Sequence, residues 1–100
     1  MPAVTRKGDT CTGHGGWPSR ASSEGSPDVN ANDTPVHRKD HNWDPHTNPG
    51  PPETHAGKLV GGSATVNVNG FPIGRIGDPI GTQGCGSTVA KGSEDVFAGG

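Results

Sequence analysis

Four side chains of metal-binding type stand in glycine- and proline-rich sequence: His14 in Thr12-Gly13-His14-Gly15, His46 in Asp44-Pro45-His46, His55 in Glu53-Thr54-His55, and Cys85 in Gly84-Cys85-Gly86. Imidazoles together with a thiolate suit a tetrahedral Zn²⁺ with no open coordination position. A closed four-ligand shell is structural rather than catalytic. Spacing alone is a weak signal for it, because no CxxC or HxxxH pair is used, and the competing reading is exposed loop histidines plus a small buried cysteine.

Other combinations fit known chemistry less well. His37 and His41 are four apart, but Arg38 stands where a helical zinc protease motif has its glutamate, and Pro35 leaves no room for a helix. Both read as surface variants of repeat positions. Cys11 and His14 have no group to orient the histidine and no oxyanion hole, so a nucleophile–base pair is not expected. Gly13-His14-Gly15-Gly16 lacks the Lys-Ser/Thr ending of a phosphate loop. Trp17 and Trp43 read as loop packing. A formal charge of −2, with lysines and arginines scattered singly or in pairs, gives no basic face for nucleic acid. The expectation is a protein that is not an enzyme.

The elements that position these residues must form without a conventional core. One Leu, three Ile, eight Val and two Phe are sparse in 100 residues, below the roughly 20% at which composition signals disorder. The low net charge and the alternation of the Val-rich segments nevertheless favour strands. Small domains short of core recruit disulfides, metal or partner chains. Cys11 and Cys85 allow one disulfide at most, and the opening Met1-Pro2-Ala3-Val4-Thr5-Arg6-Lys7 has no signal-peptide h-region. A reducing compartment is therefore the default, and metal the better candidate. No apolar run approaches a membrane span, so a soluble single domain over residues 1–100 is expected.

Gly (18) and Pro (10) punctuate the chain too often for an ordinary helix. Self-comparison is more informative. Gly62-Ser63-Ala64-Thr65-Val66-Asn67-Val68-Asn69 lies over Gly25-Ser26-Pro27-Asp28-Val29-Asn30-Ala31-Asn32, and each copy continues through a turn into PxxR, at Arg75 and Arg38. A third copy, Gly92-Ser93-Glu94-Asp95-Val96-Phe97-Ala98, reaches Gly99-Gly100 in mid-hairpin, and Pro2-Ala3-Val4-Thr5-Arg6-Lys7-Gly8-Asp9 matches the missing half with one extra residue. In each copy Val29 and Ala31, Val66 and Val68, or Val96 and Ala98 share one strand face. Asn69-Gly70 and Asn32-Asp33 are hairpin turns. The fold predicted is all-β with little or no helix: three short β-hairpin repeats around a pseudo-threefold axis. The connections Thr10 to Glu24 and Asn42 to Gly61 read as long loops at one end, and Arg6, Arg38 and Arg75 as partners for Asp9 and Asp78.

The units P-x-x-R followed by x-G-D, preceded by G-S-x-x-V-x-x-N-G, resemble the PAAR repeat over nearly the whole chain. The resemblance implies a pointed, metal-stapled cone that caps and sharpens a trimeric β-helical spike, VgrG-type or from a phage tail, in a contractile injection machine such as a type VI secretion system. It implies that His14, His46, His55 and Cys85 hold structural Zn²⁺ near the apex, and that the base sits as a monomer on the spike homotrimer. It further implies cytoplasmic synthesis followed by assembly at the tip, transient contact with a target membrane and a bare tip with no effector extension. The competing readings are a zinc-dependent adaptor recruiting effector proteins and a small metalloenzyme, which would need a water-accessible ligand position. The middle unit departs from the pattern, with Arg38-Lys39-Asp40-His41 in place of R-x-G-D, which makes His41 an alternate ligand candidate.

Overall fold

The computed structural model describes residues 2–13, 17–49, 52–81 and 87–99, and for Pro52 and His55 the backbone only. The described residues form a small all-β body of 39 × 23 × 21 Å, without a helix. Its strands are β1 (Asn30–Ala31), β2 (Thr34–Pro35), β3 (Asn42–Pro49), β4 (Pro52–Leu59), β5 (Asn67–Val68), β6 (Phe71–Pro72) and β7 (Ile80–Gly81).

Two of the repeats are the antiparallel hairpins β1–β2 and β5–β6. Their turns need positive φ at both central residues, and Asn32 (55°), Asp33 (61°), Asn69 (51°) and Gly70 (83°) adopt it. The third hairpin joins the two ends of the sequence. Val4 N–H donates to the Val96 carbonyl at 2.9 Å and Ala98 N–H to the Pro2 carbonyl at 3.1 Å. The extra residue noted near the N-terminus resolves here. Ile76 N–H bonds the Ala3 carbonyl just as Lys7 bonds Pro35 and Lys39 bonds Pro72, so Ala3, not Pro2, stands where the other units have proline.

The three units interlock through backbone bonds that repeat in kind. Thr5 N–H donates to Gly74 O (2.9 Å), Gly74 N–H to His37 O (2.9 Å), and His37 N–H to Thr5 O (3.0 Å), a closed cycle with one residue from each unit. The neighbouring bridges Arg6↔Val36, Arg38↔Ile73 and Val4↔Arg75 run around the same cycle. Alternation along these segments sends Val4, Val36 and Ile73 to one side, where they pack with Ala98, Ala31 and Val68, two residues from each unit. The valines before them behave differently from expectation. Val68 is buried, but Val66, one pleat earlier, is 38% exposed, and Val29 and Val96 match it.

On the other side of the cycle lies a second cluster, Cys11, Trp43, Leu59, Ile80 and Val89. It rests on β3, β4 and β7, which form one sheet in the order β3-β4-β7. The stretch read as a loop from Asn42 to Gly61 is thus mostly an eight-by-eight-residue hairpin, with a register irregularity between Trp43 and His46. That bulge accommodates Pro45 and breaks the period-two pattern.

His37 and His41 are corrected by this arrangement: they are buried, at 0% and 6% exposure, rather than on the surface. His37 occupies the place of Thr5 and Gly74 in the cycle, so its side chain points into the second cluster and packs edge-on to Trp43, with ring centroids 5.0 Å apart. His41 takes the place of an aspartate. Asp9 and Asp78 accept the backbone N–H of Arg6 (2.9 Å) and Arg75 (2.8 Å) and pair with the same guanidinium groups. In the middle unit His41 Nδ1 accepts the Arg38 N–H at 3.3 Å. Arg38, with His41 standing where the other units have the pairing aspartate, lies over the Phe71 ring at 3.9 Å.

The Gly-Ser pair that opens each unit has a steric cause. A Cβ on Gly92 would stand 2.6 Å from the Val4 carbonyl oxygen, one on Gly62 2.8 Å from Ile73 O, and one on Gly25 2.5 Å from Pro35 Cβ. The serines that follow bond the N–H of Val29, Val66 and Val96 at 2.9–3.0 Å. Gly92→Ala, pressing on rigid backbone, is expected to lower stability by roughly 1–3 kcal/mol, read as a lowered urea midpoint with an unchanged slope.

Candidate functional site

Of the four candidate ligands, the structure brings His46 and His55 together as directly facing residues of β3 and β4. His14 and Cys85 lie outside the described residues. The strands that carry the two histidines owe their position to the second cluster. Trp43 is sealed into it, and β4 closes it by pairing Leu59 with Ile80 of β7.

His46 is buried, at 4% exposure. Its Nδ1 lies 2.7 Å from the Pro18 carbonyl oxygen. A carbonyl only accepts, so Nδ1 carries the proton and the lone pair sits on Nε2, the arrangement that orients metal-binding histidines. The Trp17 ring lies against His46 with centroids 6.4 Å apart, and Trp17 Nε1–H donates to the Glu53 carbonyl at 3.0 Å. Trp17 and Pro18 thereby tie the loop after His14 to both β3 and β4. Spacing gave no hint of that brace; only the position of Trp17-Pro18 just after a candidate ligand could have raised it.

The anchor points of the remaining two segments also adjoin. Thr12 N–H donates to Thr88 O at 2.9 Å and Thr88 N–H to Thr12 Oγ1 at 3.1 Å, while Ile80 N–H donates to Ser87 O at 2.9 Å. The backbone on either side of residues 14–16 and 82–86 is therefore fastened to the same sheet that carries His46 and His55. Among the described residues, no three His, Cys, Asp or Glu side chains come together as metal ligands.

A family model for the PAAR motif matches residues 49–100, just over half of the chain. The chain belongs to the PAAR-motif family. The match covers the second internal unit and the C-terminal copy, including Gly62-Ser63 through Asp78. No curated protein matches the sequence. The PAAR motif points to a spike-tip protein of type VI secretion or phage-type injection machines, a structural family rather than an enzymatic one.

Cys11 of this PAAR chain has a structural place. It is 2% exposed, packs with Trp43, Leu59, Ile80 and Val89, and its sulfur receives the Arg20 N–H at 3.4 Å. A thiol so enclosed reacts slowly. In mass-mapped alkylation of the folded protein, Cys11 is expected to stay unmodified until urea crosses the unfolding transition.

Proposed function

We propose that this chain is the tip of a trimeric β-helical spike, VgrG-type or from a phage tail, and that structural Zn²⁺ bound by His14, His46, His55 and Cys85 fastens its far end. The observation that carries the docking reading is the threefold recurrence of partly exposed valines, Val29, Val66 and Val96, at 36–38% exposure. They sit at matching places beside a closed cycle of three backbone bonds. A homotrimer offers the same surface three times, and a chain with three like edges meets each copy alike. Two-residue strands also leave backbone groups at the hairpin edges that suit strand addition to the spike's sheets.

The metal reading is supported by the facing of His46 and His55, by the fastening to that sheet of the described residues that flank positions 14 and 85, and by the proton that Pro18 holds on His46 Nδ1. Zn²⁺ bound there would supply cross-links beside an apolar cluster that, among the described residues, is small. The work is mechanical: a cone made in the cytoplasm and carried by the spike touches the target envelope first. The chain needs no catalytic group for this, and recruitment of effectors would be an added property of its flanks.

Purified chain is expected to carry about one Zn²⁺ per molecule by elemental mass spectrometry, and His46→Ala to lose both the metal and much of the stability it confers. Val66→Asp should keep the metal but weaken capture by a purified spike trimer by about tenfold or more. Metal-free protein would refute the zinc site. Undiminished capture by the Val66→Asp variant would refute the docking face.

A further inference from the structure

His37 is the largest departure of the middle unit, and nothing in the spike or metal reading uses it. Its backbone N–H and C=O both belong to the cycle that joins the three units. Its ring is fully enclosed, stacked edge-on to Trp43 at 5.0 Å and tilted against His41 at 5.3 Å. Nδ1–H donates to the Glu24 carbonyl at 2.8 Å, which leaves Nε2 as a lone pair, buried and without a hydrogen-bond partner. A proton arriving at Nε2 would become a donor with nothing to bond and a charge with no solvent.

The surroundings do little to welcome that charge. The segment before β1 contributes Glu24, whose carboxylate is occupied by the Asn42 backbone N–H at 2.8 Å and side-chain amide at 2.5 Å. The turn of the same unit contributes His41 and the guanidinium of Arg38, both of which oppose a positive His37. The other two units place Thr5 and Gly74 at the cycle, and their arginines are paired with Asp9 and Asp78. From β3 comes the apolar Trp43. Burial outweighs the help from Glu24 and lowers the His37 pKa from 6.5 to about 4, and burial followed by Arg38 lowers that of His41 as well.

The same turn is where the long hairpin joins the cycle. Asp40 N–H donates to Leu59 O at 2.8 Å and Leu59 N–H to His41 O at 3.0 Å. We propose that His37 makes this join an acid-released latch: uptake of a proton on its enclosed Nε2 parts the middle unit's turn from β4 and frees the β3–β4 layer while the three-hairpin layer holds. A depressed folded-state pKa gives stability that is complete above pH 6.5 and declines as pH falls to about 4. One proton taken up means tenfold per pH unit, on the order of 300-fold across that window.

Hydrogen exchange on the full, metal-loaded chain, corrected for intrinsic rates and taken from pH 7.5 to 4, tests the latch. Protection at the Asp40 and Leu59 amides should fall by up to about tenfold per pH unit below 6.5, while the Val4 and Ile73 amides keep theirs. His37→Thr, which installs the residue of the first unit, should flatten that pH dependence to the part that His41, itself lowered by burial, contributes. Loss of acid-sensitive metal ligands is common to both proteins and cancels in the comparison. Equal pH profiles in the two proteins, or Val4 and Ile73 losing protection in step with Leu59, would overturn the proposal. Should the variant not fold, imidazole NMR of the unaltered chain decides: a His37 ring neutral down to near pH 4 supports the latch, and one titrating near 6.5 excludes it.

Discussion

Everything in this fold hangs on the cycle in which Thr5, Gly74 and His37 pass one backbone hydrogen bond to the next. A peptide group left unpaired in a buried position is costly. Three short segments from distant parts of the chain satisfy one another here, so none can be withdrawn without orphaning groups on both neighbours. With strands of two residues there is little ladder to share the load. The cycle supplies the cooperativity that long strands supply elsewhere.

The backbone repeats faithfully while the side chains at the cycle do not, and the difference records what lies on each side. Toward the hairpins all three units contribute medium or small aliphatic residues to one cluster. Toward the long hairpin the three positions carry threonine, histidine and glycine. Gly74 must be bare because Leu59 Cδ2 would stand 2.6 Å from any Cβ there, and His37 fills the matching space beside Trp43. In one layer of the molecule the three units contribute alike. The other was built from the connections and shows no such likeness.

That division explains what could be read in the residues. The offset between Gly25-Ser26 and Gly62-Ser63, the positive-φ turns and the meeting of the termini were legible because backbone geometry imposes them on every unit. The β3–β4 hairpin was hidden by Pro45, Pro49 and Pro52 and by a bulge that puts buried Trp43 and His46 three residues apart. His37 and His41 were misread because their counterparts, Gly74 and Asp78, say nothing about the second cluster. At the candidate site the facing of His46 and His55 turns on that same hidden hairpin. The brace from Trp17 and Pro18 needed knowledge of which strands it would cross.

The hairpin formed by residues 2–4 with residues 96–98 has one further consequence. Repeat proteins that stack as open arrays lengthen by gaining copies at an end, since each new unit covers the last. Here residues 2–4 and 96–98 are already paired with each other, so a fourth copy would have to part that hairpin to enter. The architecture counts to three and stops.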